Sequence, residues 1–242
     1  MDMESVSRKL VIWIREKVEQ SGCRGVVLGL SGGLDSSVLG VLCQQAFPQN
    51  TLGLLMPCRS IDTDRIHAEA VAKKFSIPTK IAVLDNIYDS FIEILPDFQL
   101  DSALVKLTRA NLKARLRMVT LYYTANQLQY IVVGSSNRSE LTIGYFTKYG
   151  DGGVDIMPLA NLVKGQVREL ADYLGVPQEI IDKPPSAGLW EGQTDEEEMG
   201  FTYEVLDNYI LTGNTPEDLK KTLETRKAAG QHKCETPPIA PI

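Results

Sequence analysis

The chain has 242 residues, 43% of them hydrophobic, and a formal net charge of −6 at pH 7. This is enough apolar material to close one sizeable core. The acidic balance disfavours a protein that binds duplex nucleic acid, because such proteins normally present a basic face to the phosphates. The longest apolar runs are strand-sized, so we expect no membrane span. The N-terminus lacks the unbroken apolar stretch of a signal peptide, which predicts a cytoplasmic protein.

The four cysteines are widely separated and form no Cys-x-x-Cys pair. Neither a zinc site nor a dithiol redox motif is therefore indicated. We expect reduced thiols at Cys23, Cys43, Cys58 and Cys234.

The first predicted element is an amphipathic helix, because Val6, Leu10, Ile14 and Val18 recur at steps of four. Short β-rich runs follow, separated by helical patterns, at residues 26–30, 51–56, 79–83 and 130–133. Strands that alternate with helices indicate a parallel sheet covered on both faces. The prediction is a doubly wound α/β fold in a single domain, residues 1–242.

Three later segments are predicted to be helices. Residues 101–129 carry an apolar stripe beside a basic one and predict a long helix. A second helix, 162–174, is closed by Gly175 and Pro177, and Thr215-Pro-Glu-Asp218 has the pattern of a capping box that begins the last helix. The tail 235–242 contains three prolines and is expected to be loosely ordered.

Ligands of open α/β sheets bind beyond the carboxyl ends of the strands, and a glycine-rich run follows the first predicted strand. It is Gly29-Leu-Ser-Gly-Gly-Leu-Asp-Ser-Ser37. Gly32 and Gly33 permit a close backbone approach, and the next helix offers free N–H groups and a positive dipole, so the run predicts an anion cradle. It lacks the lysine of the kinase-type phosphate loop and the third glycine of a dinucleotide fingerprint. The simpler alternative is a tight turn in which Asp35 and Ser36 cap the helix.

This run resembles the Ser-Gly-Gly-x-Asp-Ser motif of ATP pyrophosphatases, which bind the pyrophosphate leaving group and release AMP. The resemblance implies ATP as co-substrate, held by Gly29, Leu30, Ser31, Gly32, Gly33, Leu34, Asp35 and Ser36. Asp35 is expected to be catalytic and to ligate Mg²⁺, because a hard dication prefers carboxylate oxygen and would bridge ATP phosphates.

Four runs downstream resemble the NAD synthetase family, and together the match covers nearly the whole chain. They are Lys113-Ala-Arg-Leu-Arg-Met118, Val133-Gly-Ser-Ser-Asn-Arg-Ser-Glu140, Gly144-Tyr-Phe-Thr-Lys-Tyr-Gly-Asp-Gly-Gly-Val-Asp155 and Pro184-Pro-Ser-Ala-Gly-Leu-Trp-Glu-Gly-Gln-Thr-Asp-Glu196. The resemblance implies an adenine nucleotide alpha hydrolase-like fold, a homodimer, and amidation of deamido-NAD to NAD with ATP and ammonia.

Glu140 follows the strand 130–133, so it can approach the same phosphates as Asp35 and complete a metal site. Without the family match, a solvated helix glutamate would be the simpler interpretation. The resemblance makes Lys164 a catalytic, ATP-binding residue. It also places Ser135 and Ser186 at ATP-binding positions usually held by threonine, with the hydroxyl retained.

The resemblance further implies that Arg115, Lys148 and Asp155 hold deamido-NAD, with Arg115 offering a planar fork of donors. The alternative is an ordinary set of surface ion pairs. His232 and Lys233 match a pair near the same substrate, so we expect the tail to close over it. Together these form the predicted deamido-NAD site.

One segment departs from the family. Many bacterial relatives place an arginine before Leu-Pro, where this chain has Leu55-Met56-Pro57-Cys58-Arg59. Met56 and Arg59 are then the candidates for adenine and ribose contacts on that side, and Cys58 is expected to pack rather than react.

Two other functions remain open at this point. Another ATP pyrophosphatase, of the tRNA-thiolating or GMP-synthesising type, shares the phosphate loop, but a thiolating enzyme would be expected to show catalytic cysteines and a basic RNA surface. A non-catalytic nucleotide-binding module would need no second-substrate site. Glutamine hydrolysis requires its own nucleophilic site, in a domain about as large as this chain, so free ammonia is the expected nitrogen donor.

Overall fold

Residues 1–96, 98–186, 188, 190 and 192–241 are described by a computed structural model, and within them four parallel strands form one sheet. The strands are β1 Gly25–Gly29, β2 Thr51–Leu55, β3 Thr79–Ile81 and β4 Tyr130–Val132. Val26 of β1 is paired with Thr51 on one side and with Ile131 on the other. All four strands were predicted, and each ends one or two residues early, where the chain leaves the ladder for a loop.

Helices surround the sheet, which confirms the predicted doubly wound α/β class. Their bounds are α1 Met3–Gln20, α2 Leu34–Ala46, α3 Asp62–Lys74, α4 Asp85–Ile94, α5 Ser102–Leu128, α6 Arg138–Ile143, α7 Lys164–Leu174, α8 Gln178–Ile181, α9 Asp195–Met199, α10 Tyr203–Thr212 and α11 Glu217–Gly230. A 3₁₀ turn, Gln231–Lys233, follows α11.

The two faces of the sheet carry separate cores, because successive strand side chains point to opposite sides. Val26 and Leu28 pack with the helices α1, α2, α3 and α7. Val27 packs on the other side with α4 and α5. A third, smaller cluster joins α6, α9, α10 and α11 around Met199 and Leu206. The cluster around Met199 and Leu206 lies outside the sheet and supports one wall of the site described below.

The predicted helix 101–129 is confirmed as α5, and α11 begins where it was predicted, but the capping box proposed for α11 was wrong. Asp101 caps α5 by accepting a hydrogen bond from Leu104 N at 2.9 Å. The last helix begins after Pro216 without a side-chain cap, and the Thr215 hydroxyl is buried without a hydrogen-bond partner. The fixed φ of proline suits it to the start of a helix, so α11 begins after Pro216 without a cap from Thr215.

The strand order β3-β2-β1-β4 reverses direction at β1. The chain passes from β1 to β2 and β3 on one side, and returns to place β4 on the other. A crevice opens at such a switch point, beyond the carboxyl ends of the two strands that flank it. The loops after β1 and β4 therefore face a common space. No helix of the described residues is long and apolar enough to span a lipid bilayer.

Candidate active site

A cleft of about 1200 Å³ lies at this switch point. Its walls come from the loops after β1, β2 and β4, from α5 and α7, and from residues that follow α8. Pockets for one drug-sized ligand are typically about 300–1,000 Å³. The cleft therefore has room for more than one substrate.

The loop after β1 has the backbone of an anion cradle. Gly32 has φ +78°, and a Cβ at this position would lie 2.1 Å from the Asp64 carbonyl oxygen, so no other residue fits without a shift. The Ser36 hydroxyl donates to Gly33 O at 3.0 Å and lies 2.9 Å from Ser31 Oγ. These bonds fix the loop at the N-terminus of α2, where free N–H groups favour a phosphate.

Two carboxylates and one ammonium group meet beside this loop. Asp35 lies in the first turn of α2, Glu140 in the first turn of α6, and Lys164 is the first residue of α7. Lys164 Nζ forms an ion pair with Asp35 and lies 3.7 Å from Glu140 Oε1. The structure thus brings together the two predicted metal ligands and the predicted catalytic lysine.

Asn137 fixes the spacing of these carboxylates. Its Nδ2 donates to Asp35 Oδ1 at 2.9 Å, and its Oδ1 accepts from Glu140 N at 3.0 Å in a capping box that starts α6. The sequence analysis missed Asn137. A signal was present, because an asparagine three residues before a glutamate, after a strand, is a helix-start pattern.

The charges of the cluster shift one another's protonation. Burial away from water, and secondarily the negative charge of Asp35, raises the pKa of Glu140 to about 8, with Lys164 acting in the opposite direction. Burial alone would lower the pKa of Lys164, but Asp35 and Glu140 outweigh it and raise that pKa. The lysine therefore stays charged, and the paired acids form a site that favours added positive charge.

The remaining predicted ATP-binding residues also lie along the cleft. Ser135, in the loop after β4, and Ser186, in the segment after α8, both line it, and Ser186 Oγ accepts from Gly188 N at 3.1 Å. Lys183 Nζ, 2.5 Å from Asp64 Oδ1, ties this segment to α3. Residues 187, 189 and 191 of the family motif lie outside the described residues.

Three of the five predicted deamido-NAD residues are linked by hydrogen bonds, and a fourth, Lys233, binds the segment after α6. Arg115 Nη2 donates to Lys148 O at 3.3 Å, and Lys148 Nζ donates to His232 O at 2.5 Å. Lys233 Nζ reaches back to Gly144 O at 2.8 Å and to Phe146 O at 2.9 Å. The C-terminal turn thus packs onto the segment after α6. In this structure Lys233 binds backbone carbonyl groups, and its contact with a substrate stays a prediction.

Asp155 has a different set of partners. Its Oδ2 accepts from Val132 N at 2.7 Å, and its Oδ1 accepts from the Tyr122 hydroxyl at 2.9 Å. The carboxylate therefore links α5 to the edge of β4. Its predicted role in holding deamido-NAD is not tested by these contacts.

The two candidates for adenine and ribose contacts separate in space. Met56 lines the cleft, and its carbonyl accepts a hydrogen bond from Arg117 Nε at 3.1 Å. Arg59 forms an ion pair with Asp89 at the surface. Arg117, which also bonds Ser60 Oγ at 3.1 Å, was missed by the sequence analysis although it lies in the quoted basic run.

A network of phenols and acids near Lys164 was also missed. The Tyr203 hydroxyl donates to Asp195 Oδ2 at 2.9 Å, and the Tyr145 hydroxyl donates to Asp195 Oδ1 at 3.2 Å. Lys164 Nζ lies 5.1 Å from the centre of the Tyr203 ring. These residues come from three separate segments, so no local pattern could have predicted their meeting.

Comparison with known proteins identifies related sequences and structures. The family model described as NAD synthase matches residues 6–236. The NH(3)-dependent NAD(+) synthetase of Syntrophomonas wolfei is 47% identical over 243 residues, covering 100% of this chain and 98% of the relative. The NMN synthetase of Francisella tularensis superimposes with a TM-score of 0.93 at 34% identity, covering 100% of both chains. The NH3-dependent NAD synthetase of Campylobacter jejuni does so with a TM-score of 0.82 at 31% identity, also covering 100% of both.

Proposed function

The chain belongs to the NAD synthase family, and from that membership we propose that it is an ammonia-dependent enzyme that converts deamido-NAD to NAD. ATP is the co-substrate and is split into AMP and pyrophosphate. The observation that carries the proposal is the meeting of Asp35, Glu140 and Lys164 beside the phosphate loop. A module that merely retained nucleotide would not require this arrangement of two acids and a lysine.

In the first step, an oxygen of the nicotinate carboxylate attacks the α-phosphorus of ATP, and the bond to pyrophosphate breaks. The N–H groups of the loop at Gly32 and Gly33 and the start of α2 hold the departing pyrophosphate. Lys164 offsets negative charge as it develops on the phosphates. The product is a mixed anhydride of the nicotinate carboxylate and AMP.

In the second step, unprotonated ammonia attacks the activated carbonyl carbon, a proton is lost, and AMP leaves. No side chain forms a covalent bond with the substrate. The chain's contribution is alignment of the two reactants and stabilisation of charge.

Asp35 and Glu140 fit a Mg²⁺ site, because two acidic side chains that face one space offer the hard oxygen ligands that this cation prefers. Among the residues that the structure describes, no group of three or more His, Cys, Asp or Glu side chains could hold a metal. Phosphate oxygens and water would complete the coordination. Mg²⁺ would there neutralise charge on the ATP phosphates.

The homodimer is part of the proposal. On α4, Ile87, Phe91 and Ile94 recur at helical spacing and remain exposed, and so do Val119 and Tyr123 on the adjacent α5. Exposed apolar side chains grouped on adjacent helices are typical of an interaction site. A second copy of the chain is the partner that the family resemblance implies, and we expect the protein to act in the cytoplasm.

A mononucleotide acceptor is a second candidate, because the Francisella NMN synthetase has a higher TM-score than the Campylobacter NAD synthetase. Nicotinate mononucleotide has the same reacting carboxylate as deamido-NAD and lacks the adenylyl half. The chemistry at Asp35, Glu140 and Lys164 would be identical.

An amidation assay with both acceptors tests the proposal. The purified chain is given ATP, Mg²⁺ and ammonium with either deamido-NAD or nicotinate mononucleotide, and amide and pyrophosphate are measured. We expect sustained pyrophosphate release only when an acceptor and ammonium are both present, with a higher kcat/KM for deamido-NAD. A higher kcat/KM for the mononucleotide would establish the second candidate. No amide from either acceptor would refute both.

A further inference from the structure

Asp207 is a buried carboxylate that lies behind the catalytic cluster, on α10. Its Oδ1 accepts a hydrogen bond from Ser139 Oγ at 2.5 Å, and its Oδ2 accepts one from Gly165 N at 2.7 Å. Ser139 Oγ in turn accepts from Lys164 N at 3.0 Å. One carboxylate thus joins the first turn of α6 to the first turn of α7.

These bonds satisfy the start of α7, which has no side-chain N-cap of its own. The first N–H groups of a helix have no partner within it, and the residue before α7, Val163, provides no side-chain acceptor. Asp207 and Ser139 supply acceptors from other helices. The negative charge of Asp207 also suits the positive end of the α7 dipole.

The fit at this junction is close. A Cβ at Gly165 would lie 3.2 Å from Asp207 Oδ2, which is tighter than an ordinary carbon–oxygen contact. Ser139 is fully buried, so water does not compete with Asp207 for a hydrogen bond to its hydroxyl. The absence of a side chain at Gly165 therefore permits the approach of the carboxylate.

The two helix starts that Asp207 joins carry Glu140 and Lys164. Glu140 immediately follows Ser139, and the backbone N–H of Lys164 is itself the donor to Ser139. The 3.7 Å separation of Glu140 Oε1 and Lys164 Nζ thus depends on the relative placement of α6 and α7. We propose that Asp207 is a positioning residue, which sets the spacing of Glu140 and Lys164 without touching substrate.

This inference rests on the proposed function, since it concerns the rate of that reaction. Asp207→Asn keeps the size of the side chain and one acceptor oxygen, whereas Asp207→Ala removes both acceptors. We expect kcat to fall roughly tenfold in Asp207→Asn and roughly a hundredfold in Asp207→Ala, with KM for ATP changed by less than about twofold. Glu204→Gln removes a charge from the exposed side of the same helix and is the matched control, with kcat unchanged.

A merely structural role would lower the melting temperature and leave kcat of the folded enzyme intact. An unchanged kcat in Asp207→Asn, measured well below its melting temperature, would therefore overturn the inference. If that variant does not fold, Ser139→Ala, which removes the acceptor of Lys164 N, takes its place under the same criterion.

Hydrogen exchange at the Lys164 and Gly165 amides distinguishes failure of this inference from failure of the proposed function. We expect faster exchange in Asp207→Asn than in the wild type, whatever reaction the protein performs. Unchanged exchange would refute the proposed role of Asp207 in joining α6 to α7. A wild-type protein that makes no amide from either acceptor would refute the proposed function instead.

Discussion

Lys164 is almost fully buried, and it is stable there because two carboxylates surround it. An isolated ammonium group in such a place would lose its charge, since desolvation favours the neutral form. Asp35 and Glu140 reverse that preference and raise the pKa of Lys164. In the proposed reaction, Mg²⁺ would give the acids a new cationic partner, and the ATP phosphates would give the lysine anionic ones. The same three side chains can therefore balance charge both before and after ATP binds.

Replacing either acid by its amide tests this balance. Asp35→Asn and Glu140→Gln keep the shape of the side chain but remove the charge that Mg²⁺ and Lys164 require. We expect turnover to fall by roughly a hundredfold or more, with the fold retained. Activity as a function of Mg²⁺ concentration and the circular dichroism spectrum are the measurements. Asp172→Asn, at an exposed position on α7, is the control, and near-normal turnover in both site variants would rule out the metal assignment.

At the level of elements, the site is built from helix starts. Helices α2, α6 and α7 all begin at the cleft, and each contributes one charged residue from its first turn. The apolar runs and the glycine loop predict where β1, β4 and α2 lie, because those signals are local. The contacts of Asp195 and Asp207 could not be predicted in this way, since their partners lie in distant parts of the chain.

The C-terminal helix approaches the site through a contact between two glycines. A Cβ on Gly230 would lie 2.7 Å from the Cα atom of Gly144, at the end of α6. Lys233, three residues after Gly230, donates hydrogen bonds to the carbonyl oxygens of Gly144 and Phe146. The position of the tail over the predicted substrate residues thus depends on this crossing.

Gly230→Ala should separate the two helices. Alanine is the better helix former by roughly 1 kcal/mol, so in the absence of a clash the change would stabilise α11. We expect instead a loss of about 1–3 kcal/mol in the free energy of unfolding, as in other overpacked contacts. We also expect the KM for the acceptor to rise relative to wild type, and to rise more than the KM for ATP. Ala228→Ser, on an exposed side of the same helix, is the control; equal or greater stability in Gly230→Ala would show that the contact is not restrictive.

For the whole molecule, one surface of interest is formed by the helices α4 and α5. They expose several large apolar side chains, including Ile94 at 76% and Tyr123 at 66% exposure. An amphipathic helix normally buries its apolar side chains, so their exposure on two adjacent helices supports the proposed homodimer.

Light scattering coupled to size-exclusion chromatography should show a dimer of the 26.8 kDa chain. Val119→Asp and Tyr123→Asp would place charge in the proposed interface, and we expect both to shift the protein toward the monomer. Ile12→Asp, at an exposed apolar residue of α1 on the other side of the sheet, should leave the dimer intact. A fully active monomer of the unmodified chain at micromolar concentration would contradict the homodimer.

The central claim is that ATP activates the nicotinate carboxylate by adenylation before ammonia attacks. Transfer of a labelled oxygen tests it directly, because the carboxylate oxygen that attacks the α-phosphorus leaves with AMP. Deamido-NAD labelled with ¹⁸O in both carboxylate oxygens is incubated with the enzyme, ATP, Mg²⁺ and ammonium, and the products are analysed by mass spectrometry. The account predicts one ¹⁸O atom in each AMP formed, one in each amide and none in pyrophosphate. Label in pyrophosphate or inorganic phosphate, or amide formed with unlabelled AMP, would contradict it.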